Sequence, residues 1–475
     1  MNASGTLWVL VLCNTVLSPW VCVFYIYRTY ISLVNQTHTT DNQVNQVRKH
    51  QPSLGGTHMS KNRSGRNKRP QTSKRSNRQT VRVSLPRIRY AMIGGGRGAF
   101  IGGVHRIAAL LDDQYVLVAG AFSSTPKKSV ASGIELGLDP NRCYSTFEAM
   151  LKAEADLPAN VRAQVVVIVT PNHVHFEAAK LALELGFHVI CDKPVTFNLE
   201  QALALQSLVK KTGLLFCLTH NYTGYPLVKQ MREMIRLGQI GKIREVIAEY
   251  PQGWLSMLLE ITGQKQAGWR TDPKQSGVAG AVGDIGSHAE NLVEYTTGLR
   301  VTKLIAQLNT HVKGRKLDDS GNMLVWLENG ATGIIRCSQV AIGKENGLNI
   351  FIGGETGSLE WHQEEPNTLR VSREGCPTEI YRTGNGYLSD VAKAATRLPP
   401  GHPEGYLESF ANLYKNFAKA LRFYFAGHKI PATVFDFPSI DDGVRGLLFI
   451  EGAVLSSESG CRPVRLRARS RKLCA

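Results

Sequence analysis

Metal-binding patterns are missing from this chain. Its nine cysteines in 475 residues include no Cys-x-x-Cys pair and no Cys/His cluster at zinc spacing, so neither a metal site nor a disulfide framework is expected. Cys191 and Cys217 fall inside apolar strand patterns, where a free thiol behaves as a small hydrophobe and suits a reducing compartment. Acidic residues are missing in a more local way. From Arg28 to Arg89 fourteen Lys/Arg face one acid, Asp41, and from Cys461 to Ala475 six Lys/Arg face none. The formal charge of +18 therefore belongs to the ends, and the body between them is close to neutral. Basic ends can meet nucleic acid or anionic lipid. No nucleic-acid-binding domain or aromatic stacking pattern accompanies them, so solvated extensions are expected and no nucleic-acid partner.

Charge is absent altogether from the first 27 residues. Leu7 to Tyr27 is a nearly continuous apolar run, just long enough to cross a bilayer as a helix, though Asn14 and Pro19 weaken it. No basic residue precedes it, which fits a secretory signal peptide poorly. Positive charge after it would hold the rest of the chain in the cytoplasm, with membrane contact through this segment. The competing readings are an unstructured extension, or a start assigned upstream of Met59. Residues 35 to 85 are rich in Asn, Gln, Thr, Ser, Lys and Arg and cannot bury a core. Residues 1–86 thus read as an extension, 87–219 and 220–457 as two domains, and 458–475 as a basic tail.

The first domain opens with a short apolar strand, Arg87 to Ile93, running into Ile93-Gly94-Gly95-Gly96-Arg97-Gly98-Ala99. A helix from about Gly102 to Leu111 and a strand from Val116 to Phe122 follow. This is the start of a Rossmann unit. Gly94 permits the tight turn, Gly96 lets backbone approach a pyrophosphate, and the helix N-terminus presents N–H groups to it. Gly98, Ala99 and Phe100 complete the turn. Ala99 holds the third glycine position, and the loop runs on through Gly102, a second candidate for packing helix on strand. The second strand ends in Ser123-Ser124 with no acid to take the ribose hydroxyls of NAD. With Lys127 and Lys128 close behind, the tip favours NADP over NAD, although both lysines could simply be solvated.

Helices and strands go on alternating. Val165 to Val169 ends in Thr170-Pro171-Asn172, with His175 just beyond, and Phe187 to Cys191 ends in Asp192-Lys193-Pro194. That rhythm indicates a doubly wound parallel sheet, whose ligands bind at the carboxyl ends of strands. Lys193, at such an end and followed by proline, is placed to exchange a proton beside a nicotinamide. His220, Asn221, Tyr222 and Tyr225 lie just past the last strand, within reach of a substrate. Beyond them the strands come without intervening helices, predicting a largely antiparallel open sheet. In Gly283-Asp284-Ile285-Gly286-Ser287-His288, the acid and the histidine are four apart, hence on one helix face. The pair could orient a substrate hydroxyl or relay its proton.

Taken together, the glycine turn, Thr170-Pro171-Asn172 with His175, Asp192-Lys193-Pro194, Trp269-Arg270, and Gly283-Asp284 with His288 resemble the Gfo/Idh/MocA oxidoreductases. The resemblance covers roughly residues 87 to 457. It implies an α/β protein with an N-terminal Rossmann domain and a C-terminal α/β domain, whose open sheet serves homo-oligomer formation. It also implies an NAD(P)-dependent enzyme acting on a sugar or cyclitol, with Lys193, Asp284 and His288 as the catalytic set and Trp269-Arg270 near the nicotinamide. Asp192 stands where the family more often has Glu. The rival reading is a nucleotide-binding sensor or scaffold that has lost catalysis, which the intact Lys193, Asp284 and His288 oppose.

Overall fold

A computed structural model describes residues 85–467. The apolar run Leu7 to Tyr27, most of the basic extension and the last eight residues lie outside the described residues. The first half runs β1 (Ile88–Gly94), α1 (Phe100–Leu111), β2 (Tyr115–Ala121), α2 (Pro126–Glu135), α3 (Phe147–Asp156), β3 (Val165–Val169), α4 (Asn172–Glu184), β4 (His188–Cys191), α5 (Leu199–Thr212) and β5 (Phe216–Leu218). Its five strands are all parallel, in the order β2-β1-β3-β4-β5. The strands of a sheet covered on both faces must be apolar throughout, and every residue of Val165–Val169 is buried. The order reverses between β1 and β3. The loops leaving those two strands therefore diverge and open a crevice at their carboxyl ends.

The second half contains α6 (Pro226–Arg236), β6 (Ile243–Pro251), α7 (Lys265–Arg270), α8 (Pro273–Ser276) and α9 (Ser287–Thr297). A meander follows of β7 (Val301–Asn309), β8 (Ser320–Leu327), β9 (Thr332–Ser338), β10 (Asn349–Gly354), β11 (Gly357–His362), β12 (Thr368–Arg373) and β13 (Glu379–Arg382). The chain closes with α10 (Asp390–Ala394), α11 (Tyr406–Phe425), α12 (Ile440–Glu458) and β14 (Val464–Arg465). Nine strands form one sheet, β13-β12-β11-β10-β6-β9-β8-β7-β14. Every pair is antiparallel except β6 with β9. One face buries residues such as Val246, Ile335, Ile350 and Trp361 under the helices; the other is open.

Two features correct the expected boundaries. The last long helices do not belong to the second half alone. Phe410, Tyr414 and Phe417 of α11 pack into the core beneath β1 and α1. Ile440 and Val444 of α12 join the first-half core, while Phe449 and Ala453 on the same helix join the second. A helix with apolar residues around most of its circumference is buried between layers, and here it welds the two cores together. The basic tail expected from 458 is likewise ordered at its start, because Val464–Arg465 pairs with β7 as the edge strand. Among the described residues no helix is long and apolar enough to cross a membrane.

Candidate active site

The crevice at the strand ends is a cavity of about 1170 Å³. One end is built by the glycine loop. Gly94, Gly95 and Gly98 hold φ of 83°, 72° and 77°, the left-handed region that glycine alone occupies without strain. A Cβ on Gly96 would lie 2.7 Å from the Phe122 carbonyl oxygen and 2.8 Å from Ser132 Oγ. A Cβ on Gly95 would lie 2.8 Å from the Cα of Gly102, so Gly102 takes the close packing of helix on strand. Ala99, at the N-cap of α1, supplies no side-chain cap. Gly94, Gly96, Ala99, Phe100, Ser123, Ser124 and Lys128 all line the cavity, whereas Gly98 shapes the turn from outside it.

The loop after β3 adds Thr170, Pro171 and Asn172. Asn172 donates from Nδ2 to the Ser276 carbonyl oxygen at 2.8 Å, but its buried Oδ1 and the buried Thr170 Oγ1 have no partner among the described residues. Buried acceptors left open beside a cavity lack the pairing that buried polar groups require. They suit the amide and hydroxyl donors of a dinucleotide, and with the glycine cradle they fit an NAD-type cofactor. His175 does not reach the cavity. It is fully buried, with Nδ1 2.8 Å from the Pro194 carbonyl oxygen and Nε2 2.8 Å from that of Thr170, so it ties the two strand ends together. Asp192 lines the cavity and accepts at Oδ1 from the Lys193 N–H and from Thr219 Oγ1, both at 2.9 Å.

Lys193 and Asp284 meet at the centre. Lys193 Nζ lies 2.8 Å from Asp284 Oδ1 and also donates to the Asp284 carbonyl oxygen. Asp284 Oδ2 accepts from Arg270 Nε at 3.1 Å and Gln339 Nε2 at 2.8 Å. Burial alone would raise this carboxyl, but Lys193 and then Arg270 hold it well below the usual carboxylate range. Asp284 and His288 share one helix, as the spacing predicts, though not in plain α geometry. Val282–Gly286 is a π-helical turn running into α9, a widened turn common at functional sites. Nor does Asp284 cap that helix; Asp318 does, accepting the N–H groups of Gly280 and Val282 at 2.6 and 2.9 Å.

His288 lines the cavity and backs onto His220, Nδ1 to Nδ1 at 3.2 Å, with the rings nearly perpendicular. Burial, then the charge of Lys193, pushes His220 down to about 3, and the same causes in the same order push His288 well below its ordinary value. His220 was expected to touch substrate; the turn after β5 instead puts it behind His288, 2% exposed and off the cavity wall. Tyr225 is also buried away from the wall, against Trp361. Asn221 and Tyr222 do line it, as do Trp269 and Arg270, whose guanidinium lies 4.3 Å from the indole ring centroid.

Several wall residues escaped sequence reading. Tyr250, Gln252, Trp254, Asn346 and Gln363 come from β6, the loops after β6 and β9, and the end of β11, while Tyr406 and Phe410 come from α11. None sits in a compact motif; only the sheet register and the return of α11 bring them in.

Comparison with known proteins agrees with this geometry. Residues 88–220 match the oxidoreductase family with an NAD-binding Rossmann fold, and residues 228–360 match the GFO/IDH/MocA C-terminal domain. The uncharacterized oxidoreductase YfiI of Bacillus subtilis is 34% identical over 387 residues, covering 80% of this chain and 96% of that protein. Levoglucosan dehydrogenase of Pseudarthrobacter phenanthrenivorans is 26% identical over 311 residues, 61% of this chain and 77% of that protein. A crystal structure of an inositol dehydrogenase homolog from Azotobacter vinelandii, complexed with NADH and myo-inositol, is 36% identical with a TM-score of 0.74, covering 80% of this chain and 97% of that one. Both halves are thus matched in order and over nearly the full length of a relative, and the chain belongs to the Gfo/Idh/MocA family of oxidoreductases.

Proposed function

We propose that this protein transfers hydride between a nicotinamide nucleotide and a secondary alcohol or ketone of a sugar or cyclitol. The observation that carries the reading is the contact of Lys193 Nζ with Asp284 Oδ1, beside His288, in a cavity continuous with the glycine loop. When bound, the nicotinamide supplies the hydride acceptor or donor. Lys193 takes the hydroxyl proton in oxidation and returns it in reduction, as a positioned acid–base group. Asp284 fixes the Lys193 amine from one carboxylate oxygen, and Arg270 with Gln339 fixes the other. His288, kept neutral by burial and by Lys193, offers Nε2 to the same hydroxyl; that nitrogen has no partner among the described residues. His220 holds the ring from behind.

NADP is favoured over NAD. Ser123 and Ser124 present no carboxylate, and Lys128 lines the cavity beside them. Lys265 on α7 also lines it; burial and then the charge of Lys128 lower its ammonium below the ordinary value. Two cations near one another suit an added phosphate.

A homo-oligomer closing on the open sheet face is part of this reading. Ile305, Leu324, Ile334, Ile247 and Phe351 lie directly opposite one another across five adjacent strands. Leu324, Ile334 and Ile247 are 50%, 43% and 37% exposed. A contiguous apolar row of this kind fits a second copy of the same face.

Cofactor reduction measured over a panel of sugars and inositols, with NAD and NADP in parallel, tests the activity. Reduction by at least one neutral polyol is expected. Silence across the whole panel, with tight nucleotide binding retained, would turn the reading towards a sensor.

A further inference from the structure

The charged residues lining the cavity fall into two groups. Arg97, Lys128, Glu148 and Lys265 stand around the glycine loop and the tip of β2; Asp192, Lys193, Arg270 and Asp284 stand at the centre. The wall beyond His288 is made of Tyr222, Tyr250, Gln252, Trp254, Asn346 and Gln363, and none of these carries a charge. The polar atoms of the first five form one connected set. Trp254 Nε1 donates to Gln252 Oε1 at 3.0 Å, and Gln252 Nε2 donates to Asn346 Oδ1 at 2.7 Å. Tyr250 Oη donates to the same Asn346 oxygen at 2.6 Å and is hydrogen-bonded to Tyr222 Oη. The Tyr222 ring packs 4.8 Å from that of His288, which joins this wall to the reacting centre. Gln363 is held through Nε2 by Tyr225 Oη at 3.3 Å, and its buried Oε1 has no partner among the described residues.

From this wall we infer that the substrate is an uncharged polyol, and that phosphorylated and carboxylated sugars are rejected. The inference rests on the polyol reading above. An anionic group placed against the wall would lose water, and among the described residues the wall itself offers it no cation. Lys193 and Arg270 share the single carboxylate of Asp284. A carboxylate stands close behind the wall, because Glu364 Oε1 accepts the Asn346 backbone N–H at 2.9 Å. The next charged residues in that loop, Lys344 and Glu345, do not line the cavity. Burying an unpaired anion beside a like charge costs several kcal/mol. Hydroxyls, by contrast, donate to the open Gln363 oxygen and exchange bonds with the tyrosines and amides.

Matched pairs test this: glucose against glucose 6-phosphate and glucuronate, and myo-inositol against its monophosphate. Binding to the enzyme loaded with whichever reduced cofactor it prefers is measured by calorimetry, and kcat/KM with the matching oxidised cofactor. The neutral member should bind and turn over at least about a hundredfold better. Gln363→Lys should shift the anion/neutral ratio of affinities upward by about tenfold, and Gln363→Glu should shift it downward. Equal or tighter binding of the anionic member overturns the inference, as does a ratio that neither substitution moves. Neutral ligand that binds selectively without turnover upholds the charge selection and defeats the dehydrogenase reading. Turnover of both members alike does the reverse.

Discussion

Lys193 and Asp284 lie 91 positions apart in the chain and 2.8 Å apart in space, Nζ to Oδ1. One comes from the end of a parallel strand in the first half and the other from a π-helical turn in the second, so the two halves build the centre jointly. Replacing Lys193 by Ala should leave nucleotide binding near normal, since the glycine loop and the Thr170–Asn172 loop are separate from it. Turnover should fall by roughly 10² to 10⁴, the range for a positioned acid–base group. Cofactor titration by fluorescence and a single-turnover assay separate the two. Near-normal turnover would remove Lys193 from the chemistry.

Asp284→Asn tests the support of that lysine. The folded-state carboxyl lies below its unfolded value because Lys193 and Arg270 outweigh burial. A depressed acid contributes stability that is fully present above the unfolded value, near pH 4, and lost as pH falls through the folded one. At pH 7 the variant should therefore lose about 1–3 kcal/mol, the cost of leaving charged partners poorly satisfied. The gap to the parent protein should narrow below about pH 4. Denaturant melts at pH 7 and pH 3.5 measure this; a gap that is constant or widens in acid would contradict the ion-pair account.

The histidine pair sets a different pH expectation. An ordinary histidine would impose an acid limb on activity near pH 6.5. Burial and Lys193 hold His220 near 3 and His288 well below its usual value, so both stay neutral as pH falls through 6. The acid side of the kcat profile should show no inflection between pH 5.5 and 7 from either ring. His220→Asn should lower kcat with little change in KM, because it loosens His288 without touching substrate. A parent-protein inflection near 6.5 that His288→Gln abolishes would show that His288 titrates in the working range.

Much of this centre was legible in the sequence because it sits on compact motifs. Gly94-Gly95-Gly96, Thr170-Pro171-Asn172 and Asp192-Lys193-Pro194 each occupy a strand end, and strand ends in a parallel sheet converge. The misses have a common cause. Whether His220 meets the cavity or hides behind His288 depends on how the chain turns after Leu218, and local pattern does not report that turn. Asn346 and Gln363 reach the wall from the loop and strand end of an antiparallel meander, where the register decides the neighbour. Tyr406 and Phe410 belong to a helix that returns to the first half from over 180 positions away, and no periodicity in α11 announces its partner.

The open face gives a prediction about assembly. Ile334 and Leu324 lie opposite each other on adjacent central strands and are both exposed. Replacing Ile334 by Glu would bury two like charges across a two-fold contact of this face. The measured mass should fall by at least half in light scattering, while the thermal midpoint of the subunit changes little, because the side chain leaves no core. An unchanged mass would move the contact to another surface.

The cofactor preference can be settled at the end of β2. Ser123 accepts the Thr125 N–H at its hydroxyl, and neither it nor Ser124 offers a carboxylate to the ribose of an adenosine. Lys128 and Lys265 both line the cavity with these serines, and the charge of Lys128 is felt at Lys265. Ser123→Asp would set a negative charge at the strand tip, where a 2′-phosphate would otherwise meet only neutral serines. NADP should weaken through repulsion and loss of solvation, while NAD gains an acceptor for its ribose hydroxyls. The NADP/NAD ratio of kcat/KM should fall about tenfold or more, which corresponds to a lost interaction of roughly 1.4 kcal/mol. Lys265→Ala should move the ratio the same way by a smaller factor, since one cation remains. A parent protein that already prefers NAD strongly, with neither substitution moving the ratio, would show that the serines simply tolerate the ribose. The two lysines would then be solvated rim residues that take no part in binding.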